Sequence, residues 1–185
     1  MKRLTSILLI LVLFTGCGTG QQNMNRVLAL RSELNVRGCR FVADITADYG
    51  DAIHAFSLDC SFDPQGKLTF SVVQPESIAG ITGTVSAGGG ELLFDDTVLA
   101  FALLADGQFS PVSGPWVIMK ALLSGYITSC GTEGDLLRTT IRDSYAEDAL
   151  TVDLWLDQEN IPLRGEICWS NRRILTIAVK NFTMP

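Results

Sequence analysis

The sequence predicts an α+β domain built on one curved antiparallel sheet, with a helix at its N-terminus and a second, nearly apolar helix later in the chain. Three observations carry this. Segment after segment alternates apolar and polar residues at a period of two, and short turn signals join consecutive segments. Only residues 23–34 and 113–124 show helical spacing. No strand–helix–strand rhythm occurs, so a parallel sheet is set aside. A length of 185 residues suits a single domain, and a hydrophobic content of 47% is enough for a core. With 14 Lys and Arg against 20 Asp and Glu, and no basic run, the chain is a poor partner for nucleic acid.

The first sixteen residues read as an address. Met1-Lys2-Arg3 is cationic, and Leu4–Phe14 (LTSILLILVLF) is apolar but too short for a mature span, which needs about 20 residues. Leu13-Phe14-Thr15-Gly16-Cys17 resembles the bacterial lipobox, with Phe14 departing from the usual Leu or Val. The resemblance implies cleavage before Cys17 and acylation of its thiol by fatty chains such as palmitate. The chain is then exported and anchored to the membrane at the outer face of the bacterial cytoplasmic membrane. Gly18 to Asn23 is small and polar and reads as a flexible tether, so the domain is expected to span 24–185.

Residues 23–34 (NMNRVLALRSEL) place Met24, Val27, Leu28, Arg31 and Leu34 at helical spacing, with Asn23 as N-cap. The segments 39–48 and 51–60 then alternate around Tyr49-Gly50, a hairpin signal. Folding about that turn sets Cys39 opposite Cys60, Phe41 opposite Leu58, Ala43 opposite Phe56 and Ile45 opposite His54. An exported chain allows disulfides, so a Cys39–Cys60 bridge is expected, with Cys130–Cys168 by elimination. Zinc is the competing reading for these cysteines, but no C-x-x-C pair exists and His54 is the sole histidine. Neither metal nor cofactor is expected.

Strands follow at 67–73, 81–85, 91–94 and 97–103. The glycine loop Gly88-Gly89-Gly90 lacks the Gly-Lys-Ser/Thr ending of a phosphate cradle, and no helix follows it. Pro111 to Gly125 reads as the second helix, with Ser113 as cap, Pro115 in the first turn and Gly125 as stop. Lys120 is its only charge, so most of its surface must be covered. Residues 149–156 and 161–169 flank Asp157-Gln158-Glu159-Asn160, which sets Asp153 opposite Arg164 and Val152 opposite Gly165. For the last strand, 173–182, a three-residue loop at 170–172 sets Leu175 beside Ile167 and Ile177 beside Gly165. A two-residue loop would expose those apolar residues, so the longer loop is chosen.

This order resembles the bacterial lipoprotein-carrier family of LolA and LolB. The residues that carry the likeness are Gly66-x-Leu68-x-Phe70 running to Pro75-x-x-Ile78, the helix Trp116–Leu123, the pair Val152–Asp157 and Ile161–Ile167, and the closing Val179-Lys180-Asn181-Phe182. The resemblance implies a half-open β-barrel around an apolar cavity for acyl chains or a lipidated protein, with a helix as lid. Phe41, Ile45, Phe56, Leu58, Phe70 and Val72 would line its wall, and Trp116, Met119 and Leu123 its lid. The same residues also read as a closed core with no void, and both readings stand at this point.

The expected function is therefore that of a lipid-anchored, non-catalytic binder of acyl chains or lipoprotein. The alternative is an anchored module that docks an envelope protein partner without binding lipid. A hydrolase has no support: G-x-S-x-G and H-E-x-x-H are absent, and His54 reads as structural.

Overall fold

The computed structural model describes residues 18–50, 52–95, 97–102, 104–105, 108–146, 149–170 and 172–185. Cys17 and the segment before it lie outside the described residues. Among the described residues, no helix is long and apolar enough to cross a membrane.

The chain opens with α1 (Gly18–Arg37). Val27, Leu30 and Leu34 are its buried stripe. Gly38, at φ +68°, ends the helix and returns its N–H to the Leu34 carbonyl at 3.1 Å. The helix begins at Gly18, so the expected tether 18–23 is helical and Asn23 lies inside the helix, not at its cap. Eleven strands then make one antiparallel sheet. They are β1 (Cys39–Asp48), β2 (Ile53–Phe62), β3 (Leu68–Gln74), β4 (Thr82–Ser86), β5 (Gly89–Phe94), β6 (Thr97–Phe101), β9 (Tyr126–Glu133), β10 (Leu136–Arg142), β11 (Thr151–Leu156), β12 (Pro162–Trp169) and β13 (Arg172–Thr183). A two-stranded ribbon, β7 (Leu104–Ala105) with β8 (Gln108–Phe109), precedes α2 (Gly114–Ser124).

The sheet is open and curved, with β6 and β9 at its edges. Two meanders, β1 to β6 and β9 to β13, are joined where β1 pairs β13, Ile45 facing Ile177 and Ala43 facing Val179. The α+β class expected from the sequence is the one observed. The sheet exceeds the expected nine strands because the β9–β10 hairpin, turning at Gly134 (φ +61°), went unread, as did the separate β7–β8 ribbon. Most of β9 is exposed and rich in Thr, Ser and Gly, so no apolar alternation marks it.

Two hairpin registers differ from expectation by two residues. In the first, a four-residue turn, closed by the Tyr49 N–H donating to the Ala52 carbonyl at 3.1 Å, replaces the two-residue one. Cys39 then faces Phe62, Cys60 faces Phe41, Ala43 faces Leu58 and His54 faces Ala47. A two-residue slip keeps each residue on its face, which is why the burial pattern survived while the pairing did not. His54, paired with the buried Ala47, stays on the apolar face but at its exposed end. In the second hairpin Val152 faces Ile167, Asp153 faces Glu166 and Trp155 faces Arg164, with a bulge between Trp155 and Leu156. In the last hairpin the expected partners are found, Ile167 facing Leu175 and Gly165 facing Ile177, but not the three-residue loop: Trp169 faces Arg172, and a bulge between Ile167 and Cys168 restores the facing.

All four described cysteines are free thiols, so neither expected disulfide is present. Cys39 and Cys60 share a face but are no longer opposite. Cys130 lies on β9 and Cys168 on β12, with β10 and β11 between them. Three strand spacings of about 4.8 Å put their backbones roughly 14 Å apart, about twice the reach of a disulfide.

The core forms where α2 lies on the concave face of the sheet. Ile118 and Met119 are wholly buried, and Met119 Sδ sits 3.7 Å from Cys39 Sγ on β1. Two glycines permit this approach. A Cβ at Gly165 would come within 2.2 Å of Ile118 Cδ1, and one at Gly114 within 2.8 Å of Ile177 Cδ1. Arg31 on α1 closes the C-terminal end of α2, donating from Nε to the Leu122 carbonyl at 2.5 Å and from Nη2 to the Gly125 carbonyl at 2.9 Å. A guanidinium there satisfies carbonyls that the helix leaves open and complements its dipole. At the other end the Trp116 indole N–H donates to the Gly66 carbonyl at 2.8 Å. Ser113 makes no side-chain cap, contrary to expectation; its hydroxyl is buried without a partner.

Candidate functional site

The cavity-lining residues expected from the sequence are distributed between a closed core and a pocket at its margin. Phe41, Ile45, Leu58, Phe70, Val72 and Met119 are all at most 5% exposed and belong to one apolar cluster filled by α2. Phe56 and Leu123 are half-buried against that cluster. As a set they do not enclose a ligand chamber under the helix, because the helix they were meant to cover occupies it. Phe70, with Cys60, instead reaches a shallow groove of about 590 Å³ in which Arg40, Asp59, Thr69, Thr82 and Glu91 also take part.

Trp116 alone of the expected set opens onto a pocket with the chemistry of a binding site. This pocket, of about 460 Å³, lies beside α2 at one end of the sheet. Its walls come from elements that the topology brings to that end. Trp116, Val117 and Ala121 come from α2, Phe109 from the end of β8, Leu150 from the approach to β11, and Trp169 from the end of β12. Antiparallel pairing of β9 to β13 guarantees the convergence, since the starts and ends of alternate strands share one rim. Tyr49, in the β1–β2 turn, donates its hydroxyl to the Phe109 carbonyl at 2.6 Å and fixes that wall; burial raises the phenol pKa.

The rim is polar. Lys120 stands on the helix side, and Asp143, Ser144 and Ser124 complete the opening. The loop between β10 and β11 closes on itself: Asp143 N–H donates to the Leu150 carbonyl at 3.1 Å, and Arg142 Nη2 donates to the Ala146 carbonyl at 2.6 Å. Tyr126 and Tyr145 pack together beside it, ring centroids 3.9 Å apart and planes tilted by 40°. Apolar walls with a few charged groups at the mouth, at a volume within the usual ~300–1,000 Å³ of small-ligand sites, are the features of a small-molecule pocket. Lys120 was noted in the sequence only as the lone charge of its helix; Phe109, Leu150 and Trp169 were missed because three separate turns bring them together.

Elsewhere the ionisable groups form structural networks. On the outer face Asp153, opposite Glu166, accepts from Arg138 at 3.0 Å and from the Thr140 hydroxyl at 2.5 Å. Glu166 pairs with Arg164 and with Arg173, the latter at 2.9 Å. Arg138 and Arg164 lie over the Trp155 ring at 5.1 and 4.7 Å. The Asp153–Arg164 pair expected from sequence is thus replaced by two acids sharing three guanidinium groups. Burial pushes the Cys39 thiol up to about 12 and Cys60 higher still, so both are inert core residues. No cluster of three or more His, Cys, Asp or Glu placed to hold a metal occurs among the described residues.

In comparison with solved structures, the chain is similar to a LolA superfamily protein. That protein, from Nitrosomonas europaea, is 9% identical, with 86% of this chain and 93% of that one covered and a TM-score of 0.43. A putative outer membrane lipoprotein-sorting protein domain from Vibrio parahaemolyticus is 10% identical, covering 89% and 92% at a TM-score of 0.46. An uncharacterized conserved protein from Thermus thermophilus is 10% identical, covering 88% and 87% at 0.48. No family model matches the chain, and no curated protein matches it.

Proposed function

We propose that this chain is an exported, lipid-anchored binding protein that receives the apolar part of a small amphiphile in the pocket beside α2. Acylation at Cys17 would hold it at the outer face of the bacterial cytoplasmic membrane. The observation that carries the reading is the pocket itself: apolar walls from Phe109, Trp116, Leu150 and Trp169 under a rim that bears Lys120. Burying an acyl chain there gains roughly 25 cal/mol for each Å² removed from water. The chain acts by holding its ligand and performs no reaction on it.

Native extraction of the full chain followed by mass spectrometry tests this. Acyl species should co-purify with wild type and fall at least tenfold with Leu150→Trp, which fills the pocket. Equal amounts in both, or none in wild type, would overturn it. Radiolabelled palmitate should enter wild type and not Cys17→Ser.

A second reading, docking of an envelope protein, is favoured by one observation. The β5–β6 hairpin ends the sheet with an unpaired edge, and Leu93, Phe94, Val98 and Leu99 are 46–60% exposed on it. Such an edge admits strand addition. Cross-linking from Val98 in intact envelopes should then trap a stoichiometric protein partner, which Val98→Lys abolishes.

A further inference from the structure

The pocket beside α2 carries charge of both signs on its mouth. Lys120 is half-buried on the helix side, and Asp143 is exposed on the loop side. Among the described residues, neither is held in an ion pair, while the neighbouring Arg142 is committed to the Ala146 carbonyl. Tyr126 and Tyr145 adjoin the pocket-lining Gly125 and Ser144 in the chain, and Tyr145 is 78% exposed. Exposed aromatic faces beside a carboxylate are the surroundings that an ammonium prefers. At about 460 Å³, in the lower half of the small-ligand range, the pocket is sized for one chain.

Building on the binding role proposed above, we infer that the ligand is a single-chain amphiphile with a zwitterionic head. Its acyl chain lies against Trp116, Leu150 and Trp169, its phosphate meets Lys120, and its ammonium meets Asp143 and the tyrosine pair. An anionic head would set its charge against Asp143, a like-charge contact that discriminates against it. A neutral head would leave Lys120 and Asp143 partly desolvated and unpaired.

The test uses the full chain in a non-ionic amphipol with Trp155→Phe, so that Trp116 and Trp169, both in the pocket, report binding by fluorescence. Lysophosphatidylethanolamine, lysophosphatidylglycerol and palmitate are titrated separately. The zwitterionic lipid should bind at least tenfold tighter than either anion. Asp143→Asn should remove most of that preference, and Lys120→Ala should weaken both phospholipids about tenfold. Because each ratio is taken within one variant, a general loss of folding does not mimic the result. Equal or tighter binding of lysophosphatidylglycerol, or a preference unchanged by Asp143→Asn, overturns the zwitterionic head and leaves the pocket's binding role standing. Failure of all three lipids to change the emission overturns the binding role itself.

Discussion

Replacing Gly165 by Ala tests whether α2 is seated permanently on the sheet or lifts away as a lid. Gly165 lies on β12 outside the left-handed region, so alanine is allowed by the backbone. Its new Cβ would stand 2.2 Å from Ile118 Cδ1 and 3.3 Å from Leu154 Cδ2, both fully buried. Overpacking of this kind costs about 1–3 kcal/mol. Against it stands a gain of about 0.4–1 kcal/mol from the lower freedom of the unfolded chain. The net loss is about 1–2 kcal/mol, and at roughly 2–4 °C per kcal/mol for a chain of this size it is readable as a thermal melt. Ile118→Val, which removes the clashing Cδ1, should alone cost about 0.5–1.5 kcal/mol. The double variant should be more stable than the sum of the two losses by about 1 kcal/mol, since the residues touch. A melt unchanged by Gly165→Ala would mean that α2 does not rest on β12, and the closed core would be wrong.

Three further outcomes follow from the same contacts. Arg31→Met should cost about 1.5–3 kcal/mol, since it strips charged donors from the carbonyls at the end of α2, and Arg31→Lys should recover only part of it because one ammonium cannot reach both. Alkaline stability should fall as pH rises above about 8.5, where the unfolded thiols ionise while Cys39 stays protonated to about 12; the loss by pH 10 is about 2 kcal/mol from this thiol, and Cys39→Ala should flatten the decline. Asp44 is held below the usual carboxylate range, first by its bond from Lys180 at 2.5 Å and then by the Ser57 hydroxyl. Its contribution is present above the unfolded value near ~3.9 and disappears as pH falls through its lower folded value. Lys180→Met should raise the Asp44 pKa toward that ordinary value in an NMR titration.

The residues on each strand face were legible, because burial has a period of two and a slip of two preserves it. Cys39, Phe41, Ala43, Ile45 and Ala47 are buried as their alternation requires. What fixed the wrong partners was the turn: residues 49–52 close through the backbone, and nothing in Tyr49-Gly50 announces a four-residue loop. The face of the last strand was legible since its two candidate registers differed by one residue, so exposed apolar area could decide between them; its turn was not, because a bulge between Ile167 and Cys168 lets Trp169 face Arg172. The β9–β10 pair was invisible for the opposite reason, an edge strand that buries almost nothing. The β1–β13 seam has no local signature, because its partners are more than 120 residues apart along the chain.

The character of α2 explains why the site lies at the rim. A helix with one charge in eleven residues must be covered nearly all round, and the concave sheet does this with Ile118, Met119 and Leu122 fully buried. Once that volume is full, opening a chamber beneath the helix would expose several large side chains at about 1.5–3 kcal/mol each, more than one acyl chain readily returns. The flank bearing Trp116, Val117, Lys120 and Ala121 instead lines the pocket at the rim. That flank can accept an apolar chain without disturbing the core. The sole charge of the helix is placed on it beside Trp116, whereas Met119 and Leu123, expected with Trp116 to face one cavity, do not line this pocket.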